Sequence, residues 1–211
     1  MLNVSDAQRS ELSDIAEAIE TTQFGRYWPQ EYKDFYSLWG FFNGIYDTLY
    51  TDSSEWMRIS RFAIDGNFSF VWNRLSLLPY TRELAEQPCI GDGKNGYVPS
   101  VRTRIAFQTL RTEFQIEVNT VCQSAKCQSR DQICHSYQWP KPPSGVSVEN
   151  AKFTPLGATL LIAYQVRNNL FHGTKREFDG PEYRRNRLLV RNSSEIVRVM
   201  LEEIQPIISV R

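Results

Sequence analysis

Apolar residues recur at helical spacing along most of this chain, and the pattern reads as almost wholly helical. Leu12, Ile15, Ala16 and Ile19 predict a helix from Ser5 to about Thr21, with Ser5 or Asp6 as its cap. Beyond Pro29 a stronger stripe of Phe35, Leu38, Trp39, Phe42, Tyr46 and Leu49 predicts a helix from about Glu31 to Tyr50. Phe41 and Ile45 widen that stripe, so this helix is expected to be buried on more than one side, its aromatics forming core rather than a base-stacking platform. Ser53 or Ser54 can cap a third helix through about Ile64, which Asp65-Gly66-Asn67 breaks. Phe68, Val71, Trp72, Leu75 and Leu78 predict a short fourth helix that stops at Pro79.

Farther along, Gly91-Asp92-Gly93-Lys94-Asn95-Gly96 reads as a turn, because it lacks both the preceding strand and the Lys-Ser/Thr ending of a phosphate loop. Ile105, Leu110, Phe114, Val118 and Val121 predict a long helix from Val101 to about Cys122. Residues 123–154 break the pattern: they are polar, carry Pro140, Pro142 and Pro143, and predict an irregular insertion or lid. Leu156, Leu160, Leu161, Tyr164 and Phe171 restore helical spacing from about Thr154, and a last helix is expected from Pro181 to Ile204. With no internal repeat and no clean linker, the expectation is one all-α domain over residues 1–211, an antiparallel helical bundle interrupted at about 123–154.

Composition narrows the picture. The 211 residues are 41% hydrophobic, enough to build a folded core. No apolar run approaches the length needed to span a bilayer. The first residues, Met-Leu-Asn-Val-Ser-Asp-Ala, contain no basic segment followed by an apolar one, so a cytoplasmic location with reduced cysteines is expected. Formal net charge is zero, which excludes a globally basic nucleic-acid binder. The charge is uneven, however. Arg167, Lys175, Arg176, Arg184, Arg185, Arg187 and Arg191 face only Glu177, Asp179 and Glu182 in the same stretch, a local excess of four positive charges. Such a patch attracts a polyanion, and Lys175, Arg176, Arg184, Arg185 and Arg187 are its candidate RNA contacts. The plainer alternative is a solvated, arginine-rich helix face.

Inside that patch, Arg167-Asn168-Asn169-Leu170-Phe171-His172-Gly173 closes an apolar helical run. Arginine offers a permanent planar cation, and histidine exchanges protons near neutral pH. On a regular helix Arg167 and His172 would lie roughly 140° apart. Gly173 is a natural helix terminator that would let the imidazole swing toward the arginine. Asn168 precedes His172 by four residues and can orient it, while Tyr164, three residues before Arg167, can brace the guanidinium. Such a set can cleave RNA without a metal: a base deprotonates the ribose 2′-OH, a cation stabilises the charged transition state, and an acid protonates the leaving 5′ oxygen. The structural alternative pairs Arg167 with a carboxylate and leaves His172 to cap a helix end.

The segment Tyr164-Gln165-Val166-Arg167-Asn168-Asn169-Leu170-Phe171-His172-Gly173-Thr174-Lys175 resembles the signature of the HEPN superfamily: an Arg, a polar residue next, and a His after four to six residues. Residues 35–46 are similar to an early helix of related members, and the closing helix also fits; the middle of the chain is unmatched. The resemblance implies an antiparallel bundle that dimerises, with Arg167 and His172 as catalytic residues and Asn168 as the supporting polar group, facing a cleft between protomers. It also implies metal-independent endoribonuclease (RNase) activity in toxin–antitoxin, abortive-infection or antiviral systems, with no cofactor. One protomer carries one such His, so a complete acid–base pair would come from a homodimer. Thr174 stands where a toxin subgroup paired with a minimal nucleotidyltransferase antitoxin carries Tyr, which disfavours that partner.

Cys122, Cys127, Cys134 and His135 would supply four zinc ligands, but adjacent Cys134 and His135 would strain a shared site. The spacing therefore favours a polar loop of thiols without metal.

Overall fold

A computed structural model describes residues 5–10, 12–13, 30–90, 99–117, 141–171 and 181–209. Among these residues there are helices and 3₁₀ turns and no strand. The protein is therefore an all-α helical bundle. Of the first expected helix, residues 6–10 and 12–13 are described, and they are helical. The glycine-rich stretch at 91–96 lies outside the described residues, as do Cys122, Cys127, Cys134 and His135.

The long apolar stripe forms α1 (Gln30–Leu49), whose Phe35, Trp39, Phe42, Ile45 and Tyr46 are buried. Their rings meet edge to face: Phe42 lies 4.8 Å from Tyr46 and 5.0 Å from Phe62, which stacks on Phe68 at 4.4 Å. These aromatics are core, as their spacing predicts. The next helix, α2 (Glu55–Ile64), has Glu55 in its first turn and Arg61 in its last, both favourable to the helix dipole. Ser54 holds the extended cap backbone, yet its hydroxyl makes no capping bond. Asp65 ends α2 and turns the chain, its carboxylate accepting from the Asn67 amide at 2.9 Å to open a 3₁₀ turn at Gly66–Phe68.

The sequence pattern misplaces the next boundary. Instead of one helix ending at Pro79 there are two, α3 (Val71–Leu75) and α4 (Pro79–Glu86). Proline starts α4 because the first helical turn needs no N–H from it, and its fixed φ suits that position. Buried Thr81 donates its hydroxyl to Leu75 O at 2.7 Å and ties the two helices together.

Likewise α5 (Val101–Glu113) is shorter than the apolar pattern suggests. Ser100 caps it by accepting from the Thr103 amide at 3.1 Å. At the other end Gln115 adopts a left-handed conformation (φ 54°), and the Ile116 amide closes back onto Arg111 O at 2.8 Å. No glycine marks this stop, so composition did not signal it.

The supposed insertion is irregular and exposed over 141–147, apart from its last residues, but Val148–Phe153 forms a 3₁₀ turn whose Val148 and Ala151 are buried against α2, α5 and α6. This part of the segment belongs to the core and is not a lid. The Thr154 hydroxyl accepts from the Gly157 amide at 3.1 Å and launches α6 (Pro155–Phe171) where the spacing predicts it. Finally α7 (Pro181–Ile208) runs one turn past Ile204 and packs on α1 and α4, while α6 packs on α5 and α2. One contiguous apolar cluster extends from Leu12 to Ile208. No helix among the described residues is long and apolar enough to cross a membrane.

Among the described residues the largest fully buried side chain is a cation. Arg111, 1% exposed, donates from Nε to Ala85 O at 3.1 Å and from Nη2 to Gln87 O at 2.8 Å, and its Nη1 faces Cys89 Sγ at 3.8 Å. It has carbonyl partners and no carboxylate, and it clasps the C-terminal end of α4 to α5.

Candidate active site around Arg167

Arg167 lies near the C-terminal end of α6, a helix that packs on α2 and touches α1 through Tyr164 and Trp39. Val166 one residue earlier is buried, so the register that packs α6 leaves Arg167 and Asn168 only partly covered. Arg167 Nη1 donates to Glu55 Oε2 at 3.3 Å and to Asn168 Oδ1 at 3.0 Å. The structure thus pairs Arg167 with a carboxylate, as the structural alternative anticipates. Tyr164 stacks on Trp39 at 6.2 Å, and the carboxylate that braces the guanidinium is Glu55.

Glu55 is the junction of the site. Its Oε1 accepts from the Tyr46 hydroxyl at 2.6 Å and from Trp39 Nε1 at 3.4 Å. The Tyr46 oxygen also lies 2.6 Å from Asn43 Oδ1. One phenol proton cannot serve both, and the charged carboxylate is the stronger acceptor. Asn43 Nδ2 in turn donates to Asp47 Oδ2 at 2.6 Å, and Asp47 pairs with Arg58 at 2.5 Å. Arg167, Glu55, Tyr46 and Trp39 are thus hydrogen-bonded across α6, α2 and α1, and a second group, Asn43, Asp47 and Arg58, joins α1 to α2 beside it. The Arg167 and Glu55 side chains are 29% and 21% exposed, so salt screens this pair less than an open surface pair.

Burial is the first cause that pushes the Tyr46 hydroxyl far above the ordinary tyrosine range, followed by its bond to Glu55; the Arg167 charge opposes both weakly. Tyr50 is raised in the same way, by burial and then by its 2.8 Å bond to Asp65. The unfolded chain gives up these protons near pH 10, whereas the folded chain retains them. Both groups thus favour the fold fully below about pH 10 and less as pH rises past it. The urea midpoint is expected to fall between about pH 9 and 11, with Tyr46→Phe flattening part of the slope. A midpoint that stays level over that window in wild type would show these hydroxyls to titrate normally.

The other residues singled out by sequence divide into two groups. His172, Lys175 and Arg176 lie outside the described residues. The rest sit on α7, and two of them are engaged within the protein. Arg184 is exposed. Arg185 Nη2 donates to Pro88 O at 2.8 Å and Cys89 O at 3.4 Å, while Arg187 forms an ion pair with Glu31. Arg191 likewise pairs with Glu83 at 3.0 Å. Much of the local positive excess is thus neutralised by α1 and α4, which carry the compensating carboxylates.

Glu55 escapes a reading of the sequence. It stands 112 residues from Arg167, and in its own helix it looks like an ordinary first-turn acid. Only the packing of α2 on α6 brings the two together. The chain matches no protein-family model, no curated protein and no solved structure.

Proposed function

We propose that this protein is a HEPN-type, metal-independent endoribonuclease that acts as a toxin or antiviral defence effector in the cytoplasm. The observation that carries the reading is a half-covered arginine, held in place by Glu55 and Asn168 at the end of the helix that leads into His172. A guanidinium fixed in this way needs little reorganisation to meet charge that develops on a phosphate. In this mechanism the ribose 2′-OH loses its proton to one imidazole and attacks the adjacent phosphorus. Arg167 stabilises the added negative charge, and a second imidazole protonates the leaving 5′ oxygen. His172 of a second copy supplies that group, so the proposal includes a homodimer with its sites at the interface.

Purified protein incubated with total cellular RNA in EDTA tests this directly. Cleavage that persists in the chelator and leaves 2′,3′-cyclic phosphate ends is the expected result. RNA left intact at every protein concentration overturns it.

The pairing of Arg167 with Glu55 favours a second reading, a non-catalytic module that binds RNA or nucleotides, or recruits a partner. RNA bound in a salt-sensitive manner and recovered uncut would identify that module.

A further inference from the structure

Arg102, in the first turn of α5, stands apart from the other partly buried arginines of the described residues. Arg58, Arg167, Arg185 and Arg198 each donate to a carboxylate or a carbonyl, as does the fully buried Arg111. Arg102 donates no hydrogen bond and joins no ion pair; its contact is with an aromatic face. Its guanidinium carbon lies 3.5 Å from the Trp56 ring centroid, at van der Waals contact with the indole. Trp56 itself is partly buried and packed against the core. A long side chain that would otherwise sample many rotamers is thus held on a fixed plate. Burial is also the first cause drawing the Arg102 pKa down, which marks a cation partly stripped of water. The acidic side chains facing it are Glu149 on the 3₁₀ turn and Tyr164 on α6, and neither forms a bond to it.

A guanidinium stacked by its face keeps its N–H edges for an in-plane acceptor, so indole and anion do not compete for the same surface. The position matters as well. Trp56 directly follows Glu55, the residue that holds Arg167, and Tyr164, which faces Arg102, stands three residues before Arg167 on α6, about one turn away. Two guanidinia supported by consecutive residues of α2 suit a ligand with regularly repeated charges better than a ligand with one carboxylate.

We propose that Arg102, supported by Trp56, binds a backbone phosphate of single-stranded RNA next to the phosphate held at Arg167. The inference rests on the RNA reading above but not on cleavage. It adds a substrate contact on α5, outside the basic stretch of 167–191.

The probe is a fluorescently labelled 2′-O-methyl RNA oligonucleotide, which this chemistry cannot cut, bound to the full chain and followed by anisotropy over a range of salt. Arg102→Gln is expected to weaken binding about tenfold, as for one charge-assisted contact. It should also lower the slope of log K against log salt by about 0.7, the share of one phosphate on a single strand. Trp56→Leu, which leaves the cation but removes its support, should weaken binding with the slope unchanged, and Trp56→Phe should recover most of the loss. Arg102→Lys, which keeps the charge, guards against misfolding: it should retain the slope while losing affinity. Equal affinity and slope in Arg102→Gln and wild type would overturn the proposal. Cleavage of ordinary RNA with the Arg102→Gln KM unchanged would remove the subsite and leave the nuclease. Arg102-dependent binding of RNA that is never cut would do the reverse.

Discussion

Arg167→Ala is expected to lower RNA cleavage by about 10²–10³-fold, the usual loss when a fixed donor to a charged transition state is removed. The same change also breaks the bond to Glu55, so some stability is lost with it, about 1–3 kcal/mol for a carboxylate left without its cation in a largely covered site. The two effects separate through the partner. Glu55→Gln also abolishes the ion pair, but it leaves an acceptor for Tyr46 and Trp39 and keeps the guanidinium at the end of α6. Its urea midpoint should fall about as far as that of Arg167→Ala, while its cleavage rate should fall far less. Equal losses of cleavage in the two variants would mean that Arg167 serves to hold α6 on α2 and does no chemistry. Arg167→Lys is informative in the same assay, because a point charge cannot reproduce a planar fork against phosphate.

The second large effect is structural. Gly157→Ala is expected to destabilise the fold by about 3 kcal/mol or more, or to prevent folding. A Cβ at this position would lie 2.0 Å from Ala151 O, 2.7 Å from Ala151 C and 2.8 Å from Thr154 Oγ1. The obstruction is mainly backbone, so no side chain can swing aside. Ala151 O is itself tied down, accepting from the Thr154 amide at 2.9 Å and the Thr154 hydroxyl at 2.8 Å. Relief would require lifting the Val148–Phe153 turn off the start of α6, with buried Val148 and Ala151. Gly40 is the internal control. It sits exposed in the middle of α1 with nothing within 4 Å of a built Cβ, and Gly40→Ala should stabilise by about 0.5–1 kcal/mol. Urea denaturation of both variants beside wild type gives the comparison. A neutral Gly157→Ala would mean that the turn does not seat against α6 as described.

What the sequence made legible was whatever one helix face could specify by itself. The stripe from Phe35 to Tyr46 announced α1, and Thr154 announced the start of α6, because both signals lie within a few residues of the structure they determine. Pro79 was harder, since proline both ends helices and begins them, and only packing against Leu75 decides which. The stop of α5 at Gln115 had no glycine to mark it. Val148–Phe153 looked like part of a polar loop because only two of its six side chains are buried. In the candidate site, Arg167 and Asn168 were visible through a motif local to α6. Glu55, Tyr46, Trp39 and the Arg102–Trp56 pair were not, since each depends on a helix contact between distant parts of the chain.

The clasp of Arg111 on α4 has a consequence for how the bundle comes apart. Its acceptors are amide carbonyls, neutral dipoles held in a covered site that salt scarcely reaches. The ties of Arg187 and Arg191 from α7 depend instead on ion pairs with Glu31 and Glu83 whose arginines are about half exposed, and salt screens these. Added salt therefore loosens the outer straps of the molecule and spares its inner rivet. The α4–α5 corner is expected to be the part least weakened as sodium chloride is added, and amide protons there should remain the slowest to exchange.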